Sequence, residues 1–315
     1  MKKILICGAT GFIGRNLLDH FGNKKDCEIR ATHFKRPPCA EYNNVEWVNY
    51  DLRNPEHVKL ALKNIDIVLQ FAATTTGAKD ILSKPYIHVT DNAVMNSLLL
   101  RESFEQNIKH FIFPSCTIMY QKSDSALKED DFNPSAEILP FYFGAGYTKV
   151  YLERMCEFYA NLGRTKHTVM RHSNIYGPYD KYDLEKSHVT GATIAKVMTS
   201  ENGEISVWGC GAEARDLLYV KDLILFVDAA LEKQTESYQL FNVGRGHAIK
   251  IKDLVHKIIE CSGKKLKIVY DLSKPSVPTS LFLDCSKAKK KLGWVPKYSL
   301  EEGLKKTLDW YRNEY

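Results

Sequence analysis

The chain has 315 residues, 44% of them hydrophobic and 26% charged, with a formal net charge of +6 from 44 Lys and Arg against 38 Asp and Glu. That length suits one large α/β core or a core with a smaller lobe, and the composition excludes long disorder, collagen and coiled coil as whole-chain readings. The basic residues are scattered, and their densest run, Lys287 to Lys291, reads as a solvated helix face, so no nucleic-acid partner is expected.

From the N-terminus, apolar runs alternate with amphipathic stretches. Residues 3–7 predict a buried strand. Residues 12–21 predict a helix with Ile13, Leu17 and Phe21 on one face. Strands are expected at 27–33, 45–50 and 65–73, a helix at 92–107, a strand at 110–115, a long helix at 147–161 and a strand at 167–172. Strand and helix at this spacing predict an α/β fold with a doubly wound parallel (Rossmann) sheet. Beyond Asn174 the pattern loosens at the loop signal Tyr176-Gly177-Pro178. A helix is expected near 193–198 and a strand at 205–208. Residues 216–231 read as a return to the main sheet, 266–271 as a strand and 300–311 as a closing helix. The reading divides the chain into a dinucleotide-binding domain, 1–173 with 216–247, and an interleaved smaller lobe, 174–215 with 248–315.

Eight cysteines (Cys7, Cys27, Cys39, Cys116, Cys156, Cys210, Cys261 and Cys285) show neither CxxC nor zinc-knuckle spacing. Reduced thiols, a cytoplasmic setting and no metal are therefore expected. Gly8, Gly11, Gly14 and Arg15 interrupt the apolar stretch after Lys2-Lys3, so no signal peptide is read there. No apolar run is long enough to span a bilayer, and no membrane partner is expected.

Gly8-Ala9-Thr10-Gly11-Phe12-Ile13-Gly14 is a GxxGxxG turn directly after the first strand and opening the first helix. In that setting it predicts a dinucleotide site. Gly8 permits the tight turn, Gly11 lets backbone approach a pyrophosphate, and Gly14 lets helix pack on strand. The helix N-terminus offers free amides to the phosphates. The end of the second strand has no acid between Glu28 and Glu41. It carries Arg30, His33, Lys35 and Arg36, which suit a 2′-phosphate and favour NADP over NAD. Asp51, at the end of the third strand, is a carboxylate able to accept from an adenine amino group. Ala72 and Ala73 are small enough for a cofactor to lie against them.

These features resemble the extended short-chain dehydrogenase/reductases of the NAD(P)-dependent nucleotide-sugar epimerase/dehydratase family. The resemblance rests on Gly8–Gly14, Asp51-Leu52, Phe71-Ala72-Ala73, Asn92, Phe111 to Tyr120, Lys149, Asn174 to Pro178, Phe241 to Gly244 and Leu292-Gly293-Trp294. The order and spacing of Asn174 to Pro178, Ser187-His188-Val189, Trp208 to Gly211 and Arg215 are similar to the GDP-L-fucose synthases of that family. The resemblance implies a nucleotide-sugar, a GDP-sugar first, between the lobes. It implies an acid role for His188 in epimerisation, a diphosphate held by Lys196 and Arg215, substrate contacts from Asn174 and Trp208, and a homodimer built on long helices.

Family chemistry, on this resemblance, uses a Ser or Thr, a Tyr and a Lys. Tyr and Lys stand four apart on one helix face. Lys149 matches the lysine, but Ala145 stands at the tyrosine position and Cys116 at the hydroxyl position, flanked by Ser115 and Thr117. Ile118 stands where the fucose synthases carry an epimerisation cysteine. Cys116, Tyr120, Tyr147 and His188 are the other proton-transfer candidates. Tyr142, seven before Lys149, faces correctly only if the helix begins before Gly144. Three accounts of Ala145 stay open: an engineered replacement, a natural enzyme with another acid/base, or a binder of NADP and nucleotide-sugar that has lost its chemistry. Two departures together favour a natural alanine. The expected activity is hydride transfer at C4 of the sugar, as reductase, epimerase or dehydratase.

Overall fold

A computed structural model describes residues 1–39, 41–75, 83–184, 187–274 and 280–315. Among them, seven strands form an all-parallel sheet: β1 (Lys2–Cys7), β2 (Cys27–His33), β3 (Val45–Asn49), β4 (Ile67–Gln70), β5 (His110–Ser115), β6 (Lys166–His172) and Tyr238–Val243. Read from one edge, the sheet order is Tyr238–Val243, β6, β5, β4, β1, β2, β3. The order reverses beside β1, where β4 lies on one side and β2 on the other. In open α/β sheets ligands bind at such a switch point, outside the carboxyl ends of the strands.

Strand alternation builds two apolar layers on this sheet. Ile4 and Ile6 face one, with α1 (Phe12–Phe21) and α6 (Val220–Lys233) packed over them. Leu5 and Cys7 face the other, under α2 (Pro55–Leu62), α3 (Thr90–Glu105) and α4 (Phe143–Asn161). A strand buried on both faces reads as an uninterrupted apolar run, as residues 4–7 do. The sequence reading had no helix at α2. Asn54 caps it, accepting from the amides of Glu56 (2.9 Å) and His57 (3.4 Å), and Pro55 opens it.

The smaller lobe carries a three-stranded sheet in which β9 (Ala214–Tyr219) lies between β7 (Asn174–Tyr176) and β11 (Ala248–Lys250). It also carries the parallel pair β8 (Glu204–Trp208) and β12 (Lys267–Asp271), with α5 (Val189–Thr199), α7 (Ile251–Ser262) and α9 (Leu300–Glu314). Two expectations change here. Tyr176 lies in strand β7 and not in a loop. The strand at 214–219 belongs to this small sheet, and only the helix that follows it, α6, returns to the main sheet, against α1. Asp216 fastens the junction: its buried carboxylate accepts from the amides of Arg245 (2.7 Å), Gly246 (3.1 Å) and Leu283 (3.2 Å). Among the described residues no helix is long and apolar enough to cross a membrane.

Helix α1 stands directly on the turn after β1. Gly8 has φ +72°, and a Cβ on Gly14 would lie 2.1 Å from the Gly8 carbonyl oxygen. Gly14→Ala must therefore push the helix off the turn. We expect a fall in thermal stability in the range of about 1–3 kcal/mol that overpacking costs. An unchanged melting temperature would contradict this packing.

Candidate active site

The Gly8 turn is held from β2: the Gly8 amide donates to Thr32 Oγ1 (3.0 Å) and the Ala9 amide to the Thr32 carbonyl (3.0 Å). Gly11 is the N-cap of α1 and offers no capping side chain. The first-turn amides, from Phe12 and Ile13 onward, are left for a ligand, with Thr10 in the turn before them. A Cβ on Gly8 would meet the Ala72 Cα at 2.7 Å, so the turn and the end of β4 form one close-packed floor. The residues present thus fit the diphosphate of a dinucleotide.

The outer part of this floor holds His33, Lys35 and Arg36. Lys35 and Arg36 are exposed with no side-chain partner among the described residues. The His33 ring nitrogen Nδ1 pairs with the Arg36 carbonyl at 3.0 Å, which curls the loop back on itself. Arg30 is not part of the group. It lies on the far side of β2, donating to the carbonyls of Leu60, Ala61 and Lys63 at the end of α2 and pairing with Glu46. Both Asp51 oxygens accept from Arg53 (2.9 and 2.8 Å), and Arg53 also reaches Asp91. Asp51 therefore meets an adenine only beside or after this arginine. Leu52 is buried in the core, so its backbone alone is available.

Asn92 reaches across from α3 to fix the segment after β4. It accepts from the Thr74 amide (3.0 Å) and donates to the carbonyls of Thr74 and His88 (both 2.9 Å). Its polar atoms are spent there, so it shapes the wall made by Phe71, Ala72 and Ala73 rather than touching a cofactor itself.

At the end of β5 the flanking hydroxyls separate. Ser115 points into the interior and donates to Glu153 at 2.5 Å, so it is not the hydroxyl of the cleft. Cys116 and Thr117 are half-buried, and Thr117 has no side-chain partner among the described residues. Tyr120 is also removed from candidacy. It is buried, donates to Asn242 Oδ1 (2.8 Å), accepts from Arg171 (2.9 Å), and burial pushes its phenol up to about 12. Lys149 donates to the Pro114 carbonyl (2.7 Å) over the Phe113 ring. Burial lowers its pKa, against the pull of Cys116, Glu153 and Cys156. Burial raises the Cys116 thiol, and Lys149 opposes that rise. Lys149 and Cys116 thus share one desolvated corner.

The Tyr147 ring packs tilted against Phe143 (4.8 Å between ring centres) along an exposed face with Tyr151 and Phe158. Two residues from Lys149, it lies about 200° round the helix, on the outside. Ala145 is half-buried, and the helix begins at Phe143, before Gly144. Tyr142 is therefore in register. Burial raises its phenol, Arg215 opposes that rise and Cys116 adds to it.

On the lobe side, Asn174 donates to the Asp216 carbonyl at 3.4 Å. Arg215 is half-buried on β9 and donates to the Ala214 carbonyl (2.8 Å). Burial lowers its pKa, while Tyr142 and then Glu213 favour its charge. Lys196 donates to the Ser206 carbonyl (2.8 Å) and stands over the Trp208 ring (5.8 Å). His188 is the N-cap of α5 but makes no side-chain capping bond. Solvent reaches its ring, yet the walls crowd it, and that desolvation, with Lys181 and His88, lowers its pKa.

His172, absent from the sequence reading, completes the group at the end of β6. Its Nδ1 faces the Ser173 carbonyl (2.8 Å), so Nδ1 carries the proton. Burial holds its pKa at about 4 despite that bond, and Lys149 and His188 push the same way. The sign is fixed by linkage. Below its ordinary value of 6.5 the unfolded chain binds a proton that the folded chain refuses until about 4. Stability is therefore lost as pH falls through that window. His172→Gln should remove this share of the acid-induced drop in melting temperature; an equal drop in the variant would contradict the assignment.

With this geometry in place, comparison with known proteins gives a consistent answer. Residues 4–244 match the NAD dependent epimerase/dehydratase family. The chain is 30% identical to a GDP-L-colitose synthase of Yersinia pseudotuberculosis over 99% of its own length and 98% of the relative's. It is 29% identical to a GDP-L-fucose synthase of Azorhizobium caulinodans, covering 98% and 96% of the two chains. The UDP-glucose 4-epimerase of Thermotoga maritima, solved with UDP-glucose, superposes with a TM-score of 0.86 at 26% identity over 99% of both chains. The parallel sheet, the glycine turn and Lys149 at its carboxyl edge agree with these matches: the chain belongs to the NAD dependent epimerase/dehydratase family.

Proposed function

We propose that this protein is an NADP-dependent enzyme acting on a nucleotide-sugar, a GDP-sugar first, by hydride transfer at C4 of the sugar. One observation carries the reading. The turn that opens α1 leaves its first-turn amides without a capping side chain, and the partly desolvated cations Lys149, Lys196 and Arg215 stand at the sheet edge and on the smaller lobe. Burying cations costs free energy that an anionic ligand between the lobes returns. The GDP-sugar preference draws on the two synthases named above.

A bound nicotinamide dinucleotide supplies the hydride acceptor or donor. The chain's own residues bind and orient. The turn from Gly8 to Gly14 holds the diphosphate, while His33, Lys35 and Arg36 receive the 2′-phosphate. Leu52, Phe71, Ala72 and Ala73 line the wall, and Lys149 holds the nicotinamide ribose. Arg215 and Lys196 bind the sugar diphosphate, Arg215 as a planar fork and Lys196 as a point charge. Asn174 and Trp208 border the same face. His188 is neutral at pH 7, so its imidazole takes a proton before returning one.

Ala145 favours a second reading, a binder that retains both ligands without turnover. Turnover assays over GDP-, UDP-, dTDP- and CDP-sugars with NADPH and NADH distinguish the two: conversion of any of them rejects the binder. Calorimetry on two variants then tests the sites. Arg215→Ala should weaken the nucleotide-sugar and leave the dinucleotide alone. Lys35→Ala with Arg36→Ala should narrow the NADPH preference, each charge-assisted contact being worth about 1.5–3 kcal/mol. Equal loss of both ligands on Arg215→Ala would make that residue structural.

We also propose a homodimer. Phe143, Tyr147, Tyr151 and Phe158 leave an apolar stripe exposed along α4, at 59%, 37%, 44% and 51% of their full areas. A long unpartnered helix face of this kind suits its own copy across a two-fold axis. Tyr151→Glu with Phe158→Glu should give a monomer by light scattering. A native protein that already scatters as a monomer would contradict the dimer.

A further inference from the structure

The two sides of the dinucleotide floor are joined by a side chain that neither of them supplies. On one side α1 rises from the glycine turn. On the other runs the segment after β4, where Asn92 fixes Thr74. The next carbonyl, that of Thr75, accepts from Lys181 Nζ at 3.1 Å. Lys181 belongs to the smaller lobe, 106 positions further along the chain. The stretch that carries it is anchored on the opposite side, against α1. Asn16 donates to the Pro178 carbonyl (2.9 Å), and the Arg15 guanidinium lies 4.0 Å over the Tyr179 ring. Trp310 of α9 meets the same ring edge to face, 5.1 Å between centres. Tyr179 has φ +69°, in the left-handed region that an aromatic residue keeps only where its surroundings hold it. The backbone at Lys181 is fixed as well. Its carbonyl accepts from Ser187 Oγ (2.6 Å), and a Cβ on Gly191 would lie 2.4 Å from that oxygen. From the α1 anchor at Pro178 to Lys181 the chain can reach at most about 10 Å. The base of Lys181 is thus set, and its flexible four-carbon stem is the part that can swing.

Resting on the dinucleotide site described above, we propose that Lys181 is a bar across the mouth of that site. It closes on the Thr75 carbonyl over a bound nicotinamide dinucleotide and swings aside for the dinucleotide to enter or leave. The bar is fastened to protein at both ends and not to the ligand. The same hydrogen bond must break for entry and for exit, so the bar sets both rates and leaves the affinity alone. Opening then belongs to every turnover if the reaction is a net reduction, and to none if the dinucleotide is recycled in place.

The test uses the full-length protein and the fluorescence of NADPH and NADH in a stopped-flow instrument. Association is followed on mixing, and release is followed by a chase with excess oxidised dinucleotide. Lys181→Met keeps the stem and removes the ammonium. It should raise both rates about fivefold, the factor that one hydrogen bond of ordinary net strength is worth, with Kd by calorimetry unchanged within about twofold. Asn16→Ala loosens the base of the bar and should move both rates in the same direction. Because the two act on one bar, the double variant should be no faster than Lys181→Met alone. A melting curve establishes that each variant is folded. Unchanged rates in Lys181→Met would overturn the proposal. Faster release with unchanged association would overturn it too, because the lost affinity would make Lys181 a contact of the ligand. A native protein that binds neither dinucleotide rejects the dinucleotide site and the bar with it. One that binds normally and exchanges no faster without the ammonium rejects the bar alone.

Discussion

The ion pair between Glu153 and Arg171 is the contact on which the catalytic side of the cleft depends. Both side chains are almost fully buried, and they meet at 2.7 Å through parallel hydrogen bonds. Glu153 lies one turn after Lys149 on α4, and Arg171 lies one residue before His172 on β6. The same carboxylate accepts from Ser115 at the end of β5, and the same guanidinium donates to Tyr120 and the Glu129 carbonyl. Asn242 closes the network, accepting from Tyr120 and donating its amide to Glu129. One pair thus clamps two strands, a helix and the segment 116–131 at once. Removing one partner of such a pair costs about 3–5 kcal/mol, because the other charge is left buried and unpaired. Lys149, Cys116 and His172 are each within one helical turn or one residue of a member of this network, so its rigidity sets their relative positions.

Above that clamp, the cleft is an electrostatic device built from desolvated cations. Burial pulls Lys149, Lys196 and Arg215 down from their ordinary affinities, and it keeps His172 neutral near pH 7. A neutral imidazole adds no positive charge to a site already holding three cationic side chains. Burial also keeps the Tyr142 phenol protonated. Two fixed segments complete the frame. Asn92 ties the wall after β4 to α3, and Asp216 gathers three backbone amides where the lobe meets the sheet.

Much of this fold is legible in the residues, for local reasons. Helix α1, strand β2 and strand β5 have the bounds that periodicity predicts, because each is a strongly patterned segment. Helix α2 escaped because only Val58, Ala61 and Leu62 mark its buried face; Asn54-Pro55 was the available signal. Strand β9 went to the wrong sheet because its partners, β7 and β11, are non-local, and pairing leaves no trace in a local pattern. At the site, the glycine turn follows from spacing and Lys149 from the family resemblance. The choice among Ser115, Cys116 and Thr117 does not, since it depends on which face of the strand end each occupies. His172 and Tyr142 are similar cases. One is a strand-end histidine with no motif around it, and the other depended on where α4 starts.

The central claim is that this cleft carries out hydride transfer despite alanine at position 145. The most direct measurement is isotope transfer. NADPH carrying deuterium on its transferable position is incubated with a 4-keto GDP-sugar, and the product is read by mass spectrometry and proton NMR. The account predicts one deuterium at C4 of the sugar, formed in step with oxidised dinucleotide. Bound sugar recovered without deuterium, in a protein that calorimetry shows to be saturated with both ligands, would contradict it.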